Sequence, residues 1–205
     1  MKTLFIPAKA KAEVNAGKIQ ALNLQDNIAI AYSIQYREIA EKIRKILSER
    51  YNITGFVQVL GCSKPSFSKE TEAVLLISSG EFHAVSLAYE TKLPIYILEQ
   101  DRLRKLLDEE ISAFEKRKLA SYTRFLNSEK LGILVSSKPG QENLKKAIDI
   151  KKSLKDKKSY LFLGNDIYIG QFENFNDIGS WVNTACPRLD FDSSVINAED
   201  LEKKE

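Results

Sequence analysis

The chain has two cysteines, Cys62 and Cys186, and each lies where an apolar, strand-like run gives way to a loop. Cys62 falls in Val57-Gln-Val-Leu-Gly-Cys-Ser63, and Cys186 in Trp181-Val-Asn-Thr-Ala-Cys-Pro-Arg-Leu-Asp-Phe-Asp192. Thiolates are ligands of zinc and of iron-sulfur clusters, so a fold that brings the two together supplies two ligands of a metal site that needs a third. Two plainer readings stand beside this one. A cysteine at the end of an apolar strand is more often packing than chemistry, and two thiols close a disulfide when their Cα atoms come within about 7 Å. No secretory signal is visible, so the expected compartment is reducing and cytoplasmic.

Other residues with chemical potential fall at similar junctions. His83, the only histidine, ends Ser78-Ser-Gly-Glu-Phe-His83. It is a conceivable ligand or base, although a lone histidine at a strand-to-helix junction is more often a hydrogen-bonded structural residue. Glu81 suits the positive end of the following helix, and Gly80 relaxes the turn. Ser136-Ser-Lys-Pro-Gly-Gln141 could cradle a carboxylate or phosphate, yet it matches no Walker pattern. Arg188 and Asp190 could hold an amino acid-like ligand by its carboxylate and amine, the alternative being a surface ion pair of little consequence. No Ser/His/Asp arrangement, paired-carboxylate spacing or CxxC cluster appears, so ordinary hydrolase chemistry has no visible seat.

The elements that must position these residues alternate. Ile28 to Ser33 reads as a buried strand, followed by Ile39, Ile43, Ile46 and Leu47 at helical spacing. Strands are expected at Gly55 to Leu60, Ala73 to Ile77 and Pro94 to Leu98, with a helix near Ala84 to Glu90. Alternation of this kind implies crossover connections and a parallel sheet. Asp101 to about Leu126 suggests a long helix or a helix pair linking two halves. The second half opens with the strand Gly132 to Ser137, and Pro139 suits the first turn of the helix carrying Leu144, Ala147, Ile148 and Leu154. Aligning Ser33 with Ser137 superposes strand on strand, a weak internal repeat of about one hundred residues. The expected fold class is therefore α/β, with two similar domains at 1–126 and 127–205, each a small, mainly parallel sheet flanked by helices and each delivering one cysteine. Met1 to Asn27 looks too short for a third unit, and the charged tail Glu199 to Glu205 is expected to fray.

Composition excludes some classes of partner. Of 205 residues, 29% are charged, and 31 basic residues against 28 acidic leave a net charge of +3, too small a surplus to argue for direct nucleic-acid binding. The lysines from Lys151 to Lys158 read as a solvated helix end. Apolar runs are strand-sized, short of the roughly 20 residues that span a membrane. Abundant Lys and Glu with few Cys, Met, His and Trp suit a thermophile.

Four segments in this order, Leu60-Gly-Cys-Ser63, Ser79-Gly-Glu-Phe-His83, Gly132 to Gln141 and above all Val182-Asn-Thr-Ala-Cys-Pro-Arg-Leu-Asp190, resemble the diphthamide synthase family over nearly the whole chain. The resemblance implies a transferase making 2-(3-amino-3-carboxypropyl)histidine, of archaeal or eukaryotic type. Family members hold a 4Fe-4S cluster through three cysteines, one from each of three similar α/β domains. One iron is left to engage S-adenosylmethionine, whose 3-amino-3-carboxypropyl group passes to a histidine of translation elongation factor 2. Cys62 then matches the cysteine of the middle domain and Cys186 that of the last, with Gln141, Arg188 and Asp190 as candidate S-adenosylmethionine contacts. The first domain and its cysteine have no counterpart. That departure implies a split enzyme completed by a separate first-domain polypeptide, a fragment, or a relative without catalysis, and the first is favoured because both cysteine settings look intact. The alternatives are a non-catalytic binding subunit of the same pathway or a zinc-binding structural protein. A homo- or hetero-oligomer is implied, and so are sulfurs within about 8 Å of each other facing one cavity.

Overall fold

The computed structural model describes residues 4, 6, 8–11, 13–99, 102–192 and 195–202. The chain divides into two compact units, Met1–Ser112 and Ala113–Glu205. This division falls inside a helix, ahead of the 126/127 boundary expected from the sequence.

In the first unit a short helix α1 (Ala16–Gln20) precedes β1 (Asn27–Tyr32), α2 (Arg37–Leu47), β2 (Asn52–Gln58), β3 (Ala73–Ile77), α3 (Glu81–Thr91), β4 (Ile95–Glu99) and β5 (Arg102–Lys105). The sheet order is β2-β1-β3-β4-β5, parallel except for β5. β1 and β3 are apolar at every buried position because both faces are covered, as central parallel strands require. One face, formed by Ile28, Ile30, Tyr32, Ala73, Leu75 and Ile77, packs on Ile39, Ala40, Ile43 and Leu47 of α2. The amino-terminal segment joins this core through Ile19, with Val14, Leu22 and Leu24 around it.

α4 (Asp108–Asn127) leads to the second unit, β6 (Lys130–Ser136), α5 (Leu144–Ser153), β7 (Lys158–Gly164), β8 (Ser180–Asn183), α6 (Leu189–Asp192), β9 (Ile196–Asn197) and α7 (Ala198–Glu202). The sheet order β7-β6-β8-β9, all parallel, repeats the β2-β1-β3-β4 order of the first. Phe125 and Tyr122 of α4 pack with Leu131, Ile133, Val135, Ala147 and Val182, which is why the latter half of α4 belongs to the second unit. Gly132 lies beside Trp181 in this sheet, and a Cβ there would come within 2.2 Å of the indole ring.

Several elements differ from the sequence expectation. The linker expected to be wholly helical yields the antiparallel strand β5 and then one helix; Asp101 itself lies outside the described residues. Pro139 precedes α5 by several residues, since Gly140, at φ +80°, and the Gln141 N–H bond to the Lys138 carbonyl (3.0 Å) make a turn there. The lysine run is not all solvated. Lys157 Nζ donates to the Leu126 and Ser128 carbonyls at 2.8 and 2.7 Å, closing the carboxyl end of α4. Residues 199–202 of the tail continue α7, and 203–205 lie outside the described residues.

Candidate functional site

Ligands of parallel α/β sheets collect beyond the carboxyl ends of the strands, at the point where strand order reverses. In the first unit that point lies between β1 and β3, because the chain crosses from β1 to β2 on one side and returns to β3 on the other. Cys62 follows β2, at the edge. The turn that carries it is closed by the Ser63 N–H to the Leu60 carbonyl (3.0 Å), while Ser63 Oγ accepts from the Leu60 N–H (2.7 Å). Gly61 packs so closely on Phe82, in the first turn of α3, that a Cβ would lie 2.3 Å from the ring. Phe82 follows β3, so this contact draws the Cys62 turn across the end of β1 to the reversal point. Cys62 itself is exposed.

The Ser78 to His83 segment sits at the same end. Ser78 is buried, Gly80 caps α3 at φ +88°, which only glycine adopts freely, and the His83 ring packs edge-on to Phe82 at 5.7 Å between centroids. Glu81 begins α3 and lies 3.4 Å from Arg104.

In the second unit the reversal point lies between β6 and β8, and two loops meet there. The β6–α5 loop holds Ser136 to Gln141. Ser136 Oγ accepts from the Lys138 N–H (3.1 Å) and donates to the Asn165 carbonyl (3.2 Å), and Lys138 pairs with Asp166. The loop after β8 holds Cys186, which is half-buried. Asn143 Nδ2 ties the two loops by donating to the Thr184 carbonyl at 2.9 Å.

A buried polar network sets the path of the Cys186 loop. Asn183 Nδ2 donates to the Cys186 carbonyl (2.8 Å) and to Asn197 Oδ1 (2.6 Å), while Asn183 Oδ1 accepts from the Ala185 N–H (2.9 Å). Asn197 Nδ2 donates to the Pro187 carbonyl (3.0 Å) and to Asp190 Oδ2 (2.7 Å). Lys118 Nζ closes the chain, bonding Asp190 at 2.9 Å and Asp200 at 2.6 Å. Burial alone lowers the Lys118 pKa, but the charges of Asp190 and Asp200 and their hydrogen bonds outweigh it and hold Lys118 above its ordinary range. Thr184 Oγ1 anchors the loop to β6 through the Leu134 carbonyl (2.7 Å).

Of the residues singled out from sequence, Cys186 and Arg188 thus share one loop, to which the loop of Gln141 is tied, and Asp190 follows in α6. Arg188 is exposed, whereas Asp190 is 6% exposed and committed to Lys118 and Asn197. Asn183, Asn197 and Lys118 were not among the sequence candidates. The only sequence signal for the two asparagines is their place at the ends of apolar strands, where a polar residue facing the core needs a partner. Both cysteines are free, so the disulfide alternative is not realised. Among the described residues no group of three or more His, Cys, Asp and Glu side chains could hold a metal ion, and no helix is long and apolar enough to cross a membrane.

The two units define a tandem α/β protein with a free thiol beyond the strand ends of each sheet. A family profile for diphthamide synthesis proteins matches residues 1–197, and the chain belongs to that family. It is 28% identical over 209 residues to the 2-(3-amino-3-carboxypropyl)histidine synthase of Pyrococcus horikoshii, covering 93% of this chain and 60% of that protein. The enzyme of the same name from Methanocaldococcus jannaschii is 26% identical over 211 residues, at 96% and 58% coverage. The crystal structure of Dph2 from Pyrococcus horikoshii superposes with a TM-score of 0.78 at 26% identity, over 97% of this chain and 64% of that one. The structure of the same protein with a 4Fe-4S cluster gives 0.73, over 91% and 58%. The chain spans about three-fifths of the length of these relatives.

Proposed function

We propose that the chain forms two units of a 4Fe-4S transferase that moves the 3-amino-3-carboxypropyl group of S-adenosylmethionine to a histidine of translation elongation factor 2, the first step of diphthamide biosynthesis. Cys62 and Cys186 supply two thiolate ligands, as middle-domain and last-domain cysteines, and the third comes from the part of the relatives that this chain does not cover. The observation that carries this reading is that each free thiol lies beyond the carboxyl end of a strand of its own parallel sheet, in a chain whose relative of known structure holds a 4Fe-4S cluster. The donor chemistry fits, since thiolates are the usual ligands of such clusters. When bound, the cluster supplies the electron that opens a sulfonium carbon–sulfur bond. The protein's own task is to hold the thiolates, orient the sulfonium substrate and keep water out.

Within this reading Gln141 and Arg188 are the candidate contacts for the amino acid end of the substrate, Arg188 offering a planar donor fork to a carboxylate. Asp190 belongs to the framework beneath them, because its carboxylate is buried and spent on Lys118 and Asn197.

Anaerobic reconstitution with iron and sulfide tests the proposal, on the chain alone and mixed with a polypeptide matching the remaining part of the relatives. The expected result is a 4Fe-4S absorption and paramagnetic signature in the mixture that Cys62→Ala or Cys186→Ala abolishes. Absence of a cluster in both preparations overturns the reading. Stoichiometric zinc bound without anaerobic handling, and released on either substitution, favours a zinc-binding structural protein instead.

A further inference from the structure

The two sheets are covered differently on the face that carries α2 in the first unit and α5 in the second. Both helices turn the pattern Ala-x-x-Ile-x-x-x-Leu to their sheet, as Ala40, Ile43 and Leu47 in one and Ala147, Ile150 and Leu154 in the other. On that match, Glu38, Ile39 and Ile46 of α2 correspond to Lys145, Lys146 and Ser153 of α5. In the first unit the amino-terminal segment straps α2. Ala10, Val14, Leu22 and Leu24 pack on the core around Ile19, the Ala10 N–H donates to the Gln35 carbonyl (2.9 Å), and Lys9 pairs with Glu38. Ile43 and Leu47 are thereby sealed, at 2 and 1% exposure.

In the second unit the same side of α5 is open. Ile150 and Leu154 are only half-buried, and they line a groove of about 620 Å³ together with Tyr122 and Phe125 of α4 and Leu201 of α7. Both units tie the chain where it enters the sheet, through the residue just ahead of the edge strand. Tyr51 bonds Leu22 and Leu24, and Lys157 bonds Leu126 and Ser128. Upstream of that tie the first unit has its strap, whereas the second has the helix α4. The rim of the groove has changed as well. Lys146 and Ser153 stand where α2 has Ile39 and Ile46, which leaves an apolar floor inside a polar rim, the anatomy of an interface and not of a core. The exposed Lys145 stands where α2 has Glu38, the residue that holds the strap.

We propose that this groove docks a segment of a partner protein that is apolar along one side and acidic beside it, lying on α5 as the amino-terminal segment lies on α2. The occupant is polypeptide because polypeptide covers the equivalent surface of the first unit. It is acidic because the charge at the pairing position is reversed, from Glu38 to Lys145, and complementary charge is what selects a partner. Lys146 adds a second cation to the lining, against one acid, Asp149. The strap of a second copy does not meet this requirement, since its Lys9 and Lys11 would face Lys145 as like charges. This inference uses no part of the cluster reading, so either can fail without the other.

A charge-swap titration of the full chain, with its Ile and Leu methyl groups labelled for NMR, tests it. The probe is a synthetic peptide with the sequence of residues 8–24 carrying Lys9→Glu and Lys11→Glu, compared with the unaltered sequence. The acidic peptide shifts the methyls of Ile150, Leu154 and Leu201 and leaves Ile39 and Ile43 in place, because Glu38 repels it from the first unit. It binds about tenfold tighter than the unaltered peptide, the size of exchanging repulsion for attraction at two exposed charges. Lys145→Glu/Lys146→Glu inverts that preference, and Ser153→Phe, which fills the groove without changing its charge, abolishes binding of both peptides while the first-unit methyls stay where they were. Groove methyls that move with neither peptide, equal binding of the two, or a preference that survives the charge reversal overturns the proposal. So do groove methyls that shift with the concentration of the chain alone, which assign the groove to a second copy.

Discussion

The two thiols reach equivalent places by different physical means. The sheets repeat one topology, yet Cys62 follows the edge strand β2, one strand removed from the reversal point, whereas Cys186 follows β8, the counterpart of β3 and a strand that flanks it. Cys62 is brought inward by packing: an exposed turn with local hydrogen bonds, pinned by Gly61 on Phe82. Cys186 is held by a polar network whose members come from α4, β8, β9, the loop itself and α7. The repeat therefore keeps where a thiol arrives without keeping which strand delivers it. The two cysteine loops should also differ in stiffness, because a buried network with its groups paired fixes one geometry and a surface turn does not.

Removing Lys118 attacks the stiffer side and carries the largest expected effect. Lys118→Met leaves Asp190, still bonded by Asn197, and Asp200 close together without the cation that both bind, and breaking a buried pair this way costs about 3–5 kcal/mol. Trp181, the only tryptophan, reports the second unit, so denaturant unfolding followed by its fluorescence measures the loss directly. The pH dependence follows from the raised pKa of Lys118. Its contribution is fully present below the unfolded value of 10.5 and is lost as pH rises through the higher folded value, so wild type weakens in that alkaline window. Lys118→Met lacks this alkaline loss, and an unchanged alkaline limb in the variant shows that another group produces it.

Asn197→Ala comes next. It deletes the donor to the Pro187 carbonyl and to Asp190 and the acceptor for Asn183, at about 2–3 kcal/mol for buried polar groups left unpaired. It also frees the backbone that carries Cys186. Alkylation of Cys186 by iodoacetamide therefore accelerates under conditions where the unit is still folded, while Cys62 reacts as before. Equal acceleration at both sites means global loosening and removes the local interpretation.

Much of the frame is legible in the sequence. Ala73 to Ile77 is readable to the residue because five apolar residues in a row, bounded by polar ones, can only be a strand buried on both faces. The repeat is readable because both halves begin with such a run and continue at helical spacing. β5 is not, since Arg102-Leu-Arg-Lys105 has no apolar alternation and becomes a strand only by pairing with β4. For the candidate site, strand-end position is what singles out both cysteines and the Gln141 loop in the sequence, and the structure keeps them at strand ends. It cannot distinguish Asp190 from Arg188: the two are neighbours in one motif, but the short turn of α6 buries one beside Lys118, seventy-two positions away, and exposes the other. Partnerships over that sequence distance are set by topology, which local pattern does not encode.

Gly61→Ala moves the comparison to the looser side. A Cβ 2.3 Å from the Phe82 ring forces either the turn or the ring to move, a strain of about 1–3 kcal/mol. The double variant Gly61→Ala/Phe82→Ala gives up the packing of Phe82 but recovers the strain, so the two changes are less than additive in a thermodynamic cycle. Additive losses in that cycle refute the contact that draws Cys62 inward.

The smallest expected effect is Ser63→Ala, which removes one side-chain hydrogen bond to the Leu60 N–H at an exposed turn, about 1 kcal/mol or less. Its value lies in the contrast with Asn197→Ala. The Cys62 turn keeps its backbone bond from Ser63 to Leu60 and its packing on Phe82, so alkylation of Cys62 changes little and remains faster than that of the half-buried Cys186. In denaturant, with both environments erased, the gap between the two thiols closes. If Ser63→Ala instead accelerates Cys62 as strongly as Asn197→Ala accelerates Cys186, then local hydrogen bonding and not packing holds the first thiol, and the two units position their thiols by the same means after all.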